Sequence, residues 1–305
     1  MSTTSSTNIH TIALLGTGTM GSAFARRLLG AGMRVRAWDV SQAAALRLAD
    51  AGAEVAETPE RAVAGADVVL TMVPTIASIE ETMPRALSAM HAGAIWLQMS
   101  TIGVDGTERA LALAQRQRPD VVFVDAPVSG SKGPAEQGQL LILASGPAAA
   151  LDALEPVFSV LGKKTMRWER AGSGSRMKLV MNTWLAVLGE GIAETAALAQ
   201  SLGVPLGDVE ESLGSTALNA PWALAKLEKI ERDAFDPDFA LALATKDLHL
   251  ALDAATTAKL WLPLAHAIAE QWDGAVHAGL GGRDVVGAYL ALRPRTAAGV
   301  AGTRA

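Results

Sequence analysis

"IALLGTGTMGSAF", residues 12–24, joins a short apolar run to three glycines and then to a helical pattern of small residues. The spacing is Gly16-x-Gly18-x-x-Gly21, directly after a predicted strand and at the start of a predicted helix. The first glycine permits the tight turn, the second lets the main chain approach a pyrophosphate, and the third lets helix and strand pack closely. The first helical turn, with Thr19 and Met20, brings free N–H groups and partial positive charge to that phosphate. The next strand-like run, "RVRAWDV" at 34–40, ends in Asp39, 18 residues after Gly21. A carboxylate there accepts hydrogen bonds from an adenosine ribose diol and repels a 2′-phosphate. Arg34 and Arg36 share that strand, but alternation points both to the face opposite Val35, away from the strand end. The pattern predicts an NAD(P) site, with NAD favoured over NADP.

Outward from this turn, "TIALLG", "RVRAWD", "DVVLTMV", "AIWLQMS" and "VVFVDAPVS" are strand-like, with helix-like stretches such as "MGSAFARRLLGAG" and "VDGTERALALAQRQ" between them. This alternation predicts a parallel sheet with helices on both faces, an α/β Rossmann-type domain over residues 9–171. "LLILAS" and "TMRW" add two strands around a helix near 147–161. After "RAGSGSR" the strand signal stops, so residues 172–295 are predicted to be an all-α domain, joined to the first by a long interdomain helix. The glycine–serine stretch 172–175 marks the boundary. Residues 1–8 and 296–305, small and polar, are predicted to be disordered tails.

Composition removes several classes of function. The 305 residues carry a net charge of −5 with 26 Lys+Arg spread along the chain, so no basic tract marks a nucleic-acid or membrane surface. The absence of cysteine excludes disulfides, thiolate zinc sites and iron–sulfur clusters, and fits a cytoplasmic protein. "MSTTSSTNIH" lacks the basic and apolar regions of a secretion signal, and no uninterrupted apolar stretch reaches the roughly 18 residues of a membrane span. The five histidines form no metal spacing; His249 with Asp253 and His266 with Glu270 read as solvated i,i+4 pairs.

Two further stretches carry chemistry. In "DAPVSGSKGPAEQGQLLILASG", residues 125–146, a strand ends in Pro127, Val128, Ser129 and Gly130, and a polar turn follows. Small residues at the carboxyl end of a strand can aim N–H groups and the Ser129 hydroxyl at a carboxylate; a plain turn is the alternative. "SRMKLVMNTW", residues 175–184, sets Lys178 and Asn182 on one face of an apolar helix, four residues apart. Burial disfavours an ammonium ion, which suits a lysine that gives and takes a proton near neutral pH. Asn182 can orient a neighbour without titrating. Ser175 reads as the N-cap of this helix. Ser175-x-x-Lys178 and Ser129-x-x-Lys132 also fit a serine acyl-transfer tetrapeptide, but neither an SDN nor a KTG partner is present.

"GTGTMG", "DAPVSGSKGPAEQGQL", "GSGSRMKLVMN" and "FALALATKDLHLAL" occur in the order and at the spacing of the β-hydroxyacid dehydrogenase family, which the chain resembles over residues 10–293. The "SGSKGPAEQGQLLIL" wording and the "KD" pair are most similar to its glyoxylate/succinic semialdehyde reductase branch. Asp39-Val40-Ser41 looks instead like the NAD-using hydroxyisobutyrate branch.

The resemblance implies an NAD(P)-dependent oxidoreductase interconverting a small aldehyde acid and its hydroxy acid. Lys178 then transfers the proton, with Asn182 and Asp247 beside it. Ser129 and Gly130 hold the substrate carboxylate, and Thr101 lies beside nicotinamide and substrate. Phe239 is the helical domain's contribution to the substrate site, Val73 and Pro74 run along the cofactor, and Lys246 is a cofactor-side lysine. It also implies a homodimer or homotetramer. An imine reductase, and a catalytically silent dinucleotide-binding module, are the alternatives. Trp184 and Trp222 could line a pocket or pack a core, and Glu190 and Glu194 could face a partner subunit or solvent.

Overall fold

The computed structural model describes residues 9–292, so the predicted tails at 1–8 and 296–305 lie outside the described residues. The chain divides into two compact units between Met181 and Asn182.

The first unit carries nine strands, β1 (Thr11–Leu15), β2 (Arg34–Trp38), β3 (Glu54–Val55), β4 (Val68–Thr71), β5 (Ile95–Gln98), β6 (Val122–Asp125), β7 (Val128–Ser129), β8 (Leu140–Ser145) and β9 (Gly162–Trp168). Its helices are α1 (Thr19–Gly30), α2 (Gln42–Leu46), α3 (Pro59–Val63), α4 (Ile76–Ala89), α5 (Gly103–Gln117), α6 (Lys132–Glu136), α7 (Ala148–Ala153), α8 (Glu155–Leu161) and the start of α9 (Ser173–Ser201). The strands form one sheet in the order β3-β2-β1-β4-β5-β6-β8-β7, with β9 on β8. From β3 to β6 all pairs are parallel.

Both faces of the sheet are apolar, as a parallel sheet covered by helices requires. Ile12 and Leu14 pack with Phe24, Leu28 and Phe158 on one face. Their neighbours Ala13 and Leu15 pack with Ile79, Met83 and Trp96 on the other.

Two predicted features differ. The sheet is not wholly parallel, because β8 runs antiparallel to β6 and β7, and β9 follows β8. The single strand read through "VVFVDAPVS" breaks into β6 and β7 at Ala126-Pro127, where proline has no N–H to give to a ladder. The polar turn after Gly130 contains the short helix α6.

The second unit continues α9 and adds α10 (Leu206–Gly214), α11 (Pro221–Glu231), α12 (Leu241–Thr257), α13 (Pro263–Ala275) and α14 (Tyr289–Leu292). Ala193, Ala196, Leu227, Leu248, Trp272 and Tyr289 form its core. The buried carboxylate of Asp284 accepts from Lys226 Nζ at 2.8 Å and from the Asp238 N–H at 2.9 Å, so its charge is paired and hydrogen-bonded. The stretch 172–175 opens α9, yet the boundary between the compact units falls further along that helix, since its first turn is bonded to the sheet. Among the described residues no helix is long and apolar enough to cross a membrane, and no cluster of three or more His, Cys, Asp or Glu could hold a metal ion.

Candidate active site

In the order β3-β2-β1-β4-β5-β6 the winding reverses between β1 and β4, so ligands bind outside the carboxyl ends of those strands. The glycine turn lies there. Gly16 has φ +100°, and a Cβ on it would stand 2.3 Å from the Met72 carbonyl oxygen. A Cβ on Gly21 would stand 2.0 Å from the Gly16 oxygen, so glycine is what lets α1 approach the turn. Gly18 occupies the N-cap of α1 with no side-chain cap, which suits first-turn N–H groups meant for an anion. This turn, with no room for a Cβ at Gly16 or Gly21 and open space at Gly18, fits a dinucleotide pyrophosphate. Gly21→Ala is expected to lower the melting temperature and weaken NADH binding by at least tenfold, since overpacking against backbone costs about 1–3 kcal/mol; thermal melts and fluorescence titration check it.

Asp39 stands just past the end of β2. Its Oδ2 accepts from the Thr17 N–H at 2.7 Å and the Thr17 hydroxyl at 3.1 Å, and its Oδ1 accepts from the Ser41 N–H at 2.9 Å. The carboxylate thus ties the end of β2 to the glycine turn. Arg36 is committed elsewhere, to Glu54 at 3.3 Å and to the Ala64 carbonyl.

Val73 and Pro74 follow β4. A buried polar network not singled out in the sequence holds them. The Val73 N–H donates to Ser100 Oγ at 2.8 Å, the Ser100 N–H to Gln98 Oε1 at 2.8 Å, and Trp96 Nε1 to Thr71 Oγ1 at 3.1 Å. Gln98 Nε2 donates to the Ser100 carbonyl at 2.8 Å, which fixes the backbone ahead of Thr101. The available signal was three polar residues, Thr71, Gln98 and Ser100, closing two otherwise apolar strands.

Ser129 pairs with Leu141 across β7 and β8, and Gly130 follows with φ +133°, where a Cβ would meet Leu140 at 2.6 Å. A backbone turn that only glycine tolerates directly follows the Ser129 hydroxyl.

On α9, Lys178 is 9% exposed and Asn182, one turn on, is 5% exposed. Asn182 Nδ2 donates to Asp247 Oδ2 at 2.7 Å, and Lys246 Nζ pairs with Asp247 Oδ1 at 2.7 Å. Asn182 of α9 and Lys246 and Asp247 of α12 are therefore assembled in the second unit, and Lys178 precedes Asn182 by one turn of α9. Phe239 is half-buried against the helical core.

Ser175 is not the N-cap of α9 but lies inside its first turn, which begins at Ser173. Its hydroxyl donates to Asp125 Oδ1 at 2.7 Å and its N–H to Asp125 Oδ2 at 2.9 Å. Burial pushes the Asp125 carboxyl up to about 6, against the Ser175 and Ser145 hydrogen bonds and the Arg176 charge that pull it down.

Trp222 packs on the helical core, whereas Trp184 is 62% exposed and does not. Glu190 faces neither solvent nor a partner: it is buried, with Trp272 Nε1 donating to its Oε2 at 2.7 Å, and burial pushes its carboxyl up. Its Oε1 has no hydrogen-bond partner among the described residues. Glu194 is exposed. Of the histidines, His249 is exposed, as expected of a solvated face, but pairs across helices with Asp273 at 3.0 Å, and His266 stacks on Trp261.

A glycine cradle at the switch point, an acid at the end of β2 and a buried lysine on the helix leaving the sheet define the class: a nicotinamide-dinucleotide-dependent oxidoreductase. Comparison with known proteins gives the family. The model described as the NAD binding domain of 6-phosphogluconate dehydrogenase matches residues 11–169. The one described as NAD-binding of NADP-dependent 3-hydroxyisobutyrate dehydrogenase matches 172–292.

Among curated relatives, 2-(hydroxymethyl)glutarate dehydrogenase of Eubacterium barkeri is 30% identical over 95% of this chain and 97% of its own. Glyoxylate/succinic semialdehyde reductase 1 of Arabidopsis thaliana is 30% identical over 90% of this chain and 95% of its own. The solved structure of Mycobacterium tuberculosis 3-hydroxyisobutyrate dehydrogenase with L-serine superposes with a TM-score of 0.84 at 31% identity, covering 94% of this chain and all of that one. The chain belongs to the β-hydroxyacid dehydrogenase family, and its activity is that of an NAD(P)-dependent hydroxyacid dehydrogenase or reductase.

Proposed function

We propose that this enzyme interconverts a small aldehyde acid, such as glyoxylate or succinic semialdehyde, and its hydroxy acid, with Lys178 as the proton donor and acceptor. The observation that carries the reading is a buried lysine one helical turn from an amide that a carboxylate holds at 2.7 Å. A nicotinamide cofactor, when bound, supplies or accepts the hydride. Gly16, Gly18, Thr19, Met20 and Gly21 hold its phosphates, Asp39 its ribose, and Val73, Pro74, Thr101 and Lys246 line its remainder.

In the reductive direction the Lys178 ammonium gives its proton to the oxygen that gains charge as the carbonyl is reduced. In the oxidative direction the neutral amine removes that proton from the hydroxyl. Asn182, with its amide fixed by Asp247, orients the reacting group without exchanging protons. Ser129 and the Gly130 turn receive the substrate carboxylate, and Thr101 and Phe239 are the further residues assigned to the substrate. NAD is the preferred cofactor in this reading, supported by the carboxylate at the end of β2.

The test follows NADH and NADPH absorbance with glyoxylate, succinic semialdehyde and a cyclic imine. Turnover of the aldehyde acids is the expected outcome; turnover of the imine alone would reject the reading.

The enzyme is proposed to be a homodimer or homotetramer through its helical unit. Trp184 and Leu198, 14 residues apart and so about 40° from each other around α9, are 62% and 60% exposed, and Leu202, just past the end of α9, is 69% exposed. Light scattering is expected to give a dimeric or tetrameric mass, and the pair Leu198→Glu with Leu202→Glu a smaller one. A monomeric wild type would refute the assembly.

A further inference from the structure

Asp125 closes β6 at zero exposure, and the proposed chemistry does not use it. Three elements, β6, β8 and α9, meet at its carboxylate, and a fourth, α5, reaches the Ser175 hydroxyl. Oδ2 accepts the Ser175 N–H at 2.9 Å and the Ser145 hydroxyl at 3.1 Å, while Oδ1 accepts the Ser175 hydroxyl at 2.7 Å. Ser145, at the end of β8, in turn accepts the Gly174 N–H at 3.1 Å. Thr107 of α5 stands 2.9 Å from the Ser175 hydroxyl oxygen. The approach is close enough that a Cβ on Gly174 would lie 1.9 Å from the Leu143 carbonyl oxygen.

The first-turn N–H groups of a helix lack partners of their own, and a neutral hydroxyl satisfies them at little cost. Here a fully buried carboxylate does so, despite the penalty of taking a charge out of water. What that charge adds is a strong, bidentate hold on Ser175 through charge-assisted hydrogen bonds, in line with the helix dipole. Lys178 lies three residues further on, about 4.5 Å along the helix axis. A reacting group displaced by about 1 Å loses on the order of a hundredfold in rate. So the residue whose placement matters most sits one turn from the most strongly held point of the helix.

We infer that Asp125 is a positioning residue for proton transfer: with Ser145 and Ser175 it clamps the first turn of α9 to the carboxyl end of the sheet and so fixes where Lys178 stands. The inference rests on the reading of Lys178 as the proton carrier.

The test is a double-mutant cycle on the full chain, using Asp125→Asn, Ser175→Ala and Lys178→Ala, with kcat for aldehyde reduction and Kd for NADH as readouts. Each clamp variant is expected to lower kcat by about ten- to a hundredfold and to leave Kd for NADH within about twofold. In the Lys178→Ala background neither is expected to lower the residual rate further, since groups that act as a unit are not additive.

Clamp effects that persist in full without Lys178 would overturn the inference and leave the lysine's role intact. So would single clamp variants with wild-type kcat. A Lys178→Ala enzyme near the wild-type rate would overturn both. Ser175→Ala keeps the carboxylate and its bond to the Ser175 N–H, so the cycle can be closed on that variant if Asp125→Asn fails to fold.

Discussion

Lys178→Ala is expected to lower kcat for aldehyde reduction by about 10²–10⁴-fold, the range in which a positioned proton donor contributes. The residue is 9% exposed, in a helix whose next inward polar group is Asn182, itself tied to Asp247. Water has little access to take the lysine's place there, so loss of the side chain is expected to remove the proposed proton source rather than exchange it for solvent. The cofactor cradle lies in separate residues, Gly16 to Gly21 and Asp39, so Kd for NADH is expected to stay within about twofold.

Lys178→Arg separates charge from proton transfer, since arginine keeps the positive charge and does not deprotonate. It is expected to be nearly as slow as the alanine variant. Stopped-flow measurement of a single turnover keeps chemistry apart from product release. An alanine variant near the wild-type rate, or an arginine variant that restores it, would remove Lys178 from the proton path.

Much of this site was legible in the sequence because its elements are local. The glycine spacing and the i,i+4 pair of Lys178 and Asn182 are each contained in one short stretch, and short-range geometry dictates what they can do. Asp39 is nearly as local, being the first acid after the next strand.

What was hidden depends on pairing across distance. Ser175 read as an N-cap because serine at a helix start usually bonds its own backbone, yet its partner is Asp125, 50 residues earlier. The network of Thr71, Trp96, Gln98 and Ser100 spans two strands, and no single strand announces it. The reversal at β8 was also hidden, because an apolar run such as "LLILAS" carries no record of its direction. Glu190 followed the usual expectation for a glutamate on a helix, but its partner, Trp272, lies 82 residues away.

The second large effect concerns the cofactor. The wild-type enzyme is expected to prefer NADH over NADPH by more than tenfold in kcat/KM, and Asp39→Asn combined with Val40→Arg to move that ratio by about a hundredfold or more toward NADPH. At about 4 Å and an effective dielectric constant of about 20, each pair of like charges costs about 4 kcal/mol, and a hundredfold change needs about 2.7 kcal/mol. Removing the carboxylate charge therefore suffices in principle. Val40, 78% exposed and adjacent, offers a place from which a guanidinium can reach a 2′-phosphate.

Asp39 has a second task that decides how the result must be read. Its Oδ2 holds Thr17 of the glycine turn at 2.7 Å, so an amide in its place weakens that hold and raises KM for both cofactors. The ratio of the two kcat/KM values cancels the shared loss and isolates the electrostatic contribution. A wild type that favours NADPH by more than tenfold would reject this account of Asp39. A ratio unmoved by the double substitution would place the discrimination elsewhere in the adenosine site.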